Sequence, residues 1–231
     1  MCLTAKPVVF LDFDGTISRR DVTDAILAAF AGPEWLQVEQ DWQAGRIGSR
    51  ECLAKQMALV DASAPQIDEL IDGIEIDPGL VALFEACAAD AVPLHIISEG
   101  FDYCIRRVLL RPSLYLTQYL RSVQIVSAHV EPKGRRWQAS FPSAPCAHGC
   151  GTCKPATMDR LKPPGAPIVF VGDGLSDRHA AGHADVVFAK DRLAAFCEQQ
   201  TIAYTSYDTL ATVARWLGQR AWTDRRMSET L

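Results

Sequence analysis

Residues 8–16 read Val8-Val9-Phe10-Leu11-Asp12-Phe13-Asp14-Gly15-Thr16. A run of β-branched and aromatic residues with no polar alternation is what a parallel strand buried on both faces requires. It predicts a strand over Val8 to Phe13, closed by Asp-Gly-Thr. Outward from it the same pattern recurs: Val92 to Ile97 follows the amphipathic stretch Leu80 to Ala89 and ends at Ser98-Glu99-Gly100, and Pro167 to Val171 ends at Gly172-Asp173-Gly174. β-rich text at Asp185 to Phe188 and Thr201 to Tyr204 alternates with helical text at Ser176 to Gly182, Leu193 to Gln199 and Tyr207 to Leu217. Alternation of this kind predicts an α/β fold with a doubly wound, mostly parallel, Rossmann-like sheet. A further strand pair is expected from Gln124 to Ala128 and Trp137 to Phe141.

Between the first two strands, residues 18–77 carry helical apolar spacing and no strand signal, so the chain divides into an α/β core of residues 1–17 and 78–231 and a small helical cap of residues 18–77. The first cap helix should start near Asp21, with Asp24 reinforcing its first turn and Ile26, Leu27 and Phe30 forming its apolar face. Pro78-Gly79 marks the return to the core. The 231 residues are 48% hydrophobic and 22% charged, which supplies a substantial core and excludes a disordered chain. With 23 basic against 28 acidic residues and a net charge of −5, no global positive field gathers polyanions, so nucleic acid is not an expected partner. The short apolar run at Val8 is interrupted by Asp12 and no uncharged stretch reaches the roughly 18 residues of a membrane span. A cytoplasmic protein without a membrane partner is expected. Of the 8 cysteines, Cys2, Cys52, Cys87, Cys104 and Cys197 are scattered, whereas Cys146, Cys150 and Cys153 share one loop, which in a reducing compartment suggests metal ligation or reactive thiols.

Strands of a doubly wound sheet present their carboxyl ends along one edge, so Asp12, Asp14, Ser98 and Asp173 are expected to converge there. Carboxylates gathered this way repel one another unless a cation offsets them, and Mg²⁺ accepts one or two carboxylates together with water and a substrate phosphate. The order of motifs, Asp12-Phe13-Asp14-Gly15-Thr16, then Ser98, then Lys154, then Gly172-Asp173-Gly174-Leu175-Ser176-Asp177, resembles the four signatures of the haloacid dehalogenase superfamily over nearly the whole chain.

That resemblance implies a Mg²⁺-dependent phosphatase acting through an aspartyl-phosphate: Asp12 as nucleophile, Asp14 as general acid and base, Ser98, Gly100 and Lys154 on the phosphate. Asp12, the backbone carbonyl of Asp14 and Asp173 would hold the metal, and Asp177 would orient its waters or Lys154. An aspartate at position 14 points to phosphoester transfer, because dehalogenases and phosphonate hydrolases of the superfamily lack it. The helical cap resembles the phosphoserine-phosphatase branch, whose cap arginine for the substrate carboxylate is matched here by Gln56. Pro33-Glu34-Trp35, Ser98-Glu99-Gly100-Phe101-Asp102-Tyr103 and Cys150-Gly151-Thr152-Cys153-Lys154 resemble the subgroup of methylthiopentenyl-phosphate and phosphocholine-type phosphatases. A small phosphate ester is therefore the expected partner, with Asp21, Gln56 and Arg46 as specificity residues and Trp35, Trp42 and Met57 as further pocket candidates, or as core. A phosphotransferase or mutase with the same nucleophile, or a non-catalytic zinc-organised binding protein, are the alternatives. Cys146, His148, Cys150 and Cys153 have the ligand types of a structural Zn²⁺ site and resemble a zinc loop known in the superfamily, though with different spacing; a packed or redox-responsive thiol cluster is the other reading. His179 and His183 read as ordinary helix residues.

Overall fold

A computed structural model describes residues 5–219; Cys2 and the stretch 220–231 of the expected core lie outside them. β1 (Val8–Leu11) is wholly buried. Its side chains alternate between two cores, Val9 and Leu11 on one face and Val8 and Phe10 on the other, as period two demands in a sheet covered on both sides. The strand ends at Leu11 rather than Phe13 because the Phe13 carbonyl accepts the amides of Ile17 and Ser18 at 2.8 and 3.0 Å, turning the chain.

Residues 18–77 then form α1 (Val22–Phe30), α2 (Trp35–Gln43), α3 (Ser49–Leu59) and α4 (Ala64–Asp72). Asp21 is the N-cap of α1 and accepts the Asp24 amide at 2.9 Å. Ile26, Leu27, Met57, Ile67 and Ile71 are buried in the same core as one face of the sheet, so the insertion is packed onto the sheet. Its entering and leaving strands pair: Ser18 bridges Ile76, and the Asp77 amide donates to the Ile17 carbonyl at 2.9 Å.

After α5 (Leu80–Ala89), β2 (Leu94–Phe101) runs beyond the expected Ile97, carrying the Ser98-Glu99-Gly100 stretch inside the strand. α6 (Asp102–Leu109) and the short α7 (Thr117–Leu120) lead to the hairpin β3 (Ile125–Lys133) and β4 (Arg136–Ser140), longer than its sequence signal and antiparallel. α8 (Lys154–Leu161), β5 (Ile168–Gly172), α9 (Arg178–Ala181), β6 (Val186–Ala189), α10 (Asp191–Gln199), β7 (Thr205–Ser206) and α11 (Ala211–Gly218) complete the chain. The strand expected at Thr201 to Tyr204 is displaced to β7 because Thr201 adopts φ 55° and the Ile202 amide closes onto the Cys197 carbonyl, spending that segment on the end of α10. The seven strands lie in the order β4-β3-β2-β1-β5-β6-β7, parallel except for β4. The chain reverses its direction of winding between β2–β1 and β5, and a crevice opens there at the carboxyl edge.

Buried Asp77 joins the insertion's exit to the far end of the chain: its Oδ1 accepts the amides of Gly79 at 2.8 Å and Leu210 at 2.9 Å, at the starts of α5 and α11. Asp77→Ala leaves both buried amides unpaired and is expected to cost about 3 kcal/mol. Urea unfolding should show a lower midpoint with an unchanged slope.

Candidate active site

Each strand bordering the crevice delivers a polar group, from β1 and β5 just beyond the strand end and from β2 within the strand. β1 delivers Asp12 and Asp14, β2 Ser98, β5 Asp173, and the turn after β5 Asp177. Asp12, Asp173 and Asp177 each bring a carboxylate oxygen within 4.8 Å of the others. Lys154 enters from the first turn of α8, only 2% exposed, and its Nζ donates to Asp12 Oδ1 at 2.5 Å and to Asp177 Oδ1. The other Asp177 oxygen accepts the amides of Asp173 and Gly174 at 3.0 and 3.1 Å. Asp177 is thus fully occupied in orienting Lys154 and the turn.

The electrostatics follow from burial. Desolvation works against the Lys154 ammonium, but the charges of Asp12 and Asp177 outweigh it and hold the group above the ordinary lysine range. Desolvation pushes Asp12 well above the carboxylate range, reinforced by Asp177 and opposed by Lys154. Burial and the Asp12 charge raise Asp14 to about 7, and burial and the Asp177 charge raise Asp173 to about 7. Four carboxylates face the buried Lys154 ammonium here, with Lys190 acting on Asp173, and still form a hard-oxygen donor set short of positive charge that suits a hard divalent cation.

Two glycines let the backbone crowd this cluster. Gly15 has φ +77°, and a Cβ there would lie 2.2 Å from Asp173 Oδ2; a Cβ on Gly100 would lie 2.3 Å from Asp14 Oδ2. Thr16 Oγ1 donates to Asp173 Oδ1 at 2.8 Å and holds that carboxylate in place. Asp14 Oδ1 accepts the Val22 amide at 2.8 Å, docking the N-terminus of α1 onto the sheet edge and leaving Oδ2 toward Gly100. The Gly100 amide donates to Ser98 Oγ at 2.9 Å. That bond uses the Ser98 oxygen as acceptor and leaves its hydroxyl proton to be donated elsewhere.

Above the cluster lies a pocket of about 250 Å³, lined by Asp12, Asp14, Ser98 and Asp173 below and by the insertion above. Of the expected specificity residues, Asp21 and Gln56 line it, Asp21 also serving as the cap of α1. Gln56 is buried and donates to Glu39 Oε2 at 3.1 Å, so its amide is engaged by an acid of the same wall. Arg46 does not line the pocket: its exposed guanidinium pairs with Asp41, at 2.6 Å from Nη2. Trp42 is a lining residue, whereas Met57 belongs to the buried core and Trp35 packs against it. Trp42 Nε1 donates to Ser49 Oγ at 2.9 Å, and burial pushes up the carboxyl of Glu99 in the same lining. Glu39, Glu99 and Arg192 line the pocket without having been singled out from sequence. Arg192, just past β6 at the sheet edge, could have been found by the strand-end argument; Glu39 carries no such signal.

The four expected zinc ligands are not brought together. Cys146, Cys150 and Cys153 are free thiols, and the His148 ring packs tilted against His179 at 4.1 Å between centroids. Among the described residues, the carboxylate trio is the group that converges as metal ligands. His148 is drawn away by its aromatic partner, which no spacing rule within the loop could anticipate.

Fold and site place a crevice of carboxylates at the carboxyl edge of an α/β sheet, where doubly wound folds bind their ligands. The model of the haloacid dehalogenase-like hydrolases matches residues 9–182. A 2-hydroxy-3-keto-5-methylthiopentenyl-1-phosphate phosphatase of Geobacillus kaustophilus (strain HTA426) is 30% identical over 218 residues, 91% of this chain and 95% of that protein. One from Bacillus pumilus (strain SAFR-032) is 27% identical over 233 residues, 96% of this chain and 97% of that protein. Among solved structures, a haloacid dehalogenase family hydrolase of Salmonella enterica subsp. enterica serovar Typhi superposes with a TM-score of 0.71 at 18% identity, covering 95% of this chain and 73% of that one. A substrate-bound phosphoserine phosphatase superposes at 0.66 with 16% identity, covering 93% and 99%. The chain belongs to the haloacid dehalogenase-like hydrolase family and is a phosphatase.

Lys154→Met keeps the stem but leaves Asp12 and Asp177 buried without a counter-ion, with an expected loss of about 3–5 kcal/mol. Adding Asp177→Asn should return part of that stability, because one stranded charge is gone. A double variant no more stable than Lys154→Met alone would contradict this origin of the loss.

Proposed function

We propose that this phosphatase hydrolyses a small phosphate ester with Mg²⁺ and an aspartyl-phosphate intermediate on Asp12. The observation that carries the proposal is the meeting of Asp12, Asp173, Asp177 and Lys154 beneath a pocket covered by the helical insertion. Asp12, Asp173 and the backbone carbonyl of Asp14 would hold Mg²⁺, which when bound neutralises the phosphoryl oxygens and the surrounding carboxylates. Asp12 attacks phosphorus as the ester P–O bond breaks, and Asp14 gives its proton to the leaving oxygen. Asp14 then takes a proton from water, which attacks phosphorus and releases inorganic phosphate, restoring Asp12. Ser98 donates its free hydroxyl proton to a phosphoryl oxygen, and Lys154 balances charge on the same group. The insertion excludes bulk water from these steps.

The substrate we propose is a phosphorylated keto, enol or alcohol compound without a carboxylate, in keeping with the methylthiopentenyl-phosphate phosphatases among the relatives. Gln56 donates to Glu39 where a carboxylate-binding cation would be needed, and a neutral amide beside an acid offers no charge-assisted fork. The described cysteines are free thiols, in keeping with a reducing, cytoplasmic setting. Among the described residues no helix is long and apolar enough to cross a membrane.

Asp12→Asn should abolish phosphate release while the circular dichroism spectrum is preserved, and chelation should silence the wild type until Mg²⁺ is returned. Turnover by verified Asp12→Asn protein, or by metal-free wild type, would overturn the mechanism. On a phosphometabolite panel, phosphoserine should show kcat/KM about 100-fold or more below the best carboxylate-free substrate. Phosphoserine as the best substrate would overturn the role given to Gln56.

A further inference from the structure

We propose that Glu39 and Gln56 form a hydroxyl-reading subsite: Glu39 positions the Gln56 amide so that its carbonyl oxygen accepts an O–H on the leaving-group arm of the substrate. This deepens the function proposed above and rests on it in one respect, that the ester occupies this pocket.

Ser49, Cys52, Leu53 and Gln56 fall on one face of α3, at i, i+3, i+4 and i+7, and all line the pocket. α2 adds Glu39 and Trp42, three residues apart and so on one face as well. Neutral donors hold Glu39 by both of its oxygens. Gln43 Nε2 donates to Oε1 at 2.8 Å, Gln56 Nε2 donates to Oε2 at 3.1 Å, and Cys52 Sγ lies 3.9 Å from that same Oε2. A carboxylate only accepts, so the Gln56 amide has one permitted sense, nitrogen toward Glu39 and oxygen away from it. Gln56 is 2% exposed, yet its Oε1 takes no hydrogen bond from a described residue. Unlike the sealed hydroxyl of Thr152, that oxygen keeps open surface, and the pocket that Gln56 lines is where it meets a ligand.

The donors of this wall are already engaged. Gln56 Nε2 is turned to Glu39, and Trp42 Nε1 donates to Ser49 Oγ at 2.9 Å. The insertion leaves acceptors toward the pocket: Gln56 Oε1, and the second oxygen of Asp21, whose Oδ1 takes the Asp24 amide. The hydroxyls of Thr23 and Ser49 can act in either sense. Arg192, a cation of the lining, is exposed and stands on α10 of the core. An arm without a donor would displace water from the Gln56 oxygen and leave it unpaired, the costly state for a buried acceptor. Because neutral donors already occupy the Glu39 carboxylate and the oxygen on offer is that of a neutral amide, a hydroxyl fits it better than an ammonium.

Full-length protein would be given terminal alkanediol monophosphates and n-alkyl monophosphates of equal chain length, propyl to pentyl, with the matching aminoalkyl monophosphates. At the length that reaches Gln56, kcat/KM should favour the diol ester over the alkyl ester by about tenfold or more. Gln56→Met keeps the length of the side chain, removes the acceptor and should bring that ratio to about one. Glu39→Gln should lower the ratio several-fold, because an amide in place of the carboxylate lets the Gln56 amide take either sense. Adding Glu39→Gln to Gln56→Met should lower it no further, since Glu39 acts through Gln56. A merely structural loss would slow both esters together and leave the ratio where it was. Arg46→Ala, outside the pocket, should keep the wild-type ratio. A wild-type ratio near one at every length, a Glu39→Gln ratio equal to that of the wild type, or an aminoalkyl ester preferred to the diol ester would each overturn the proposal. The same pairs would compete for binding to Asp12→Asn protein, so their Kd ratio decides the subsite without turnover. Discrimination in binding with no phosphate released from any ester by the wild type would count against the proposed function and not against the subsite.

Discussion

The Lys154 ammonium, buried between Asp12 and Asp177, ties together three segments far apart in sequence at the point where the sheet changes its direction of winding. An ammonium in such a place is stable only with carboxylates at hand, and the carboxylates only with the ammonium. The mutual dependence fixes the end of β1, the turn after β5 and the start of α8 relative to one another. It also leaves the site deficient in positive charge, since Asp14 and Asp173 join the same cluster. The surplus of carboxylates is the physical reason for a cation there, and the phosphate ester brings oxygens to complete its coordination.

The helical insertion is attached to this cluster through bonds that originate on the sheet edge. Asp14 accepts the first amide of α1, and Trp42 Nε1, donating to Ser49 Oγ, ties α2 to α3. The hairpin supports the insertion from the other side: Trp137 Nε1 donates to the Ala62 carbonyl at 2.9 Å, and the Trp137 ring packs edge-on against Tyr103 at 5.1 Å. The same carboxylate that is proposed to handle protons therefore also holds the lid, which couples closure of the pocket to the geometry of the reacting groups.

Much of this was legible in the sequence because buried parallel strands are continuous apolar runs and their carboxyl ends share an edge. Asp12, Asp14, Ser98 and Asp173 could be brought together from strand order alone, Lys154 through the family resemblance, and the N-cap of α1 at Asp21 from its local pattern. What escaped depended on which partner a polar side chain turned to, near or far in the chain. Arg46 satisfies its charge with Asp41 on the surface, and the His148 ring packs against His179. β7 moved because the end of α10 consumed the residues with the stronger strand propensity. Backbone periodicity constrains which elements form; it does not say which way an exposed polar side chain turns.

The central claim is that Asp12 is phosphorylated during turnover. Borohydride reduces an acyl phosphate to an alcohol, so enzyme quenched with borohydride during turnover on its best substrate should yield a peptide in which Asp12 has become homoserine. The expected result is that conversion at position 12, dependent on both substrate and Mg²⁺. Continued phosphate release with Asp12 recovered unmodified in every quenched sample would contradict the account.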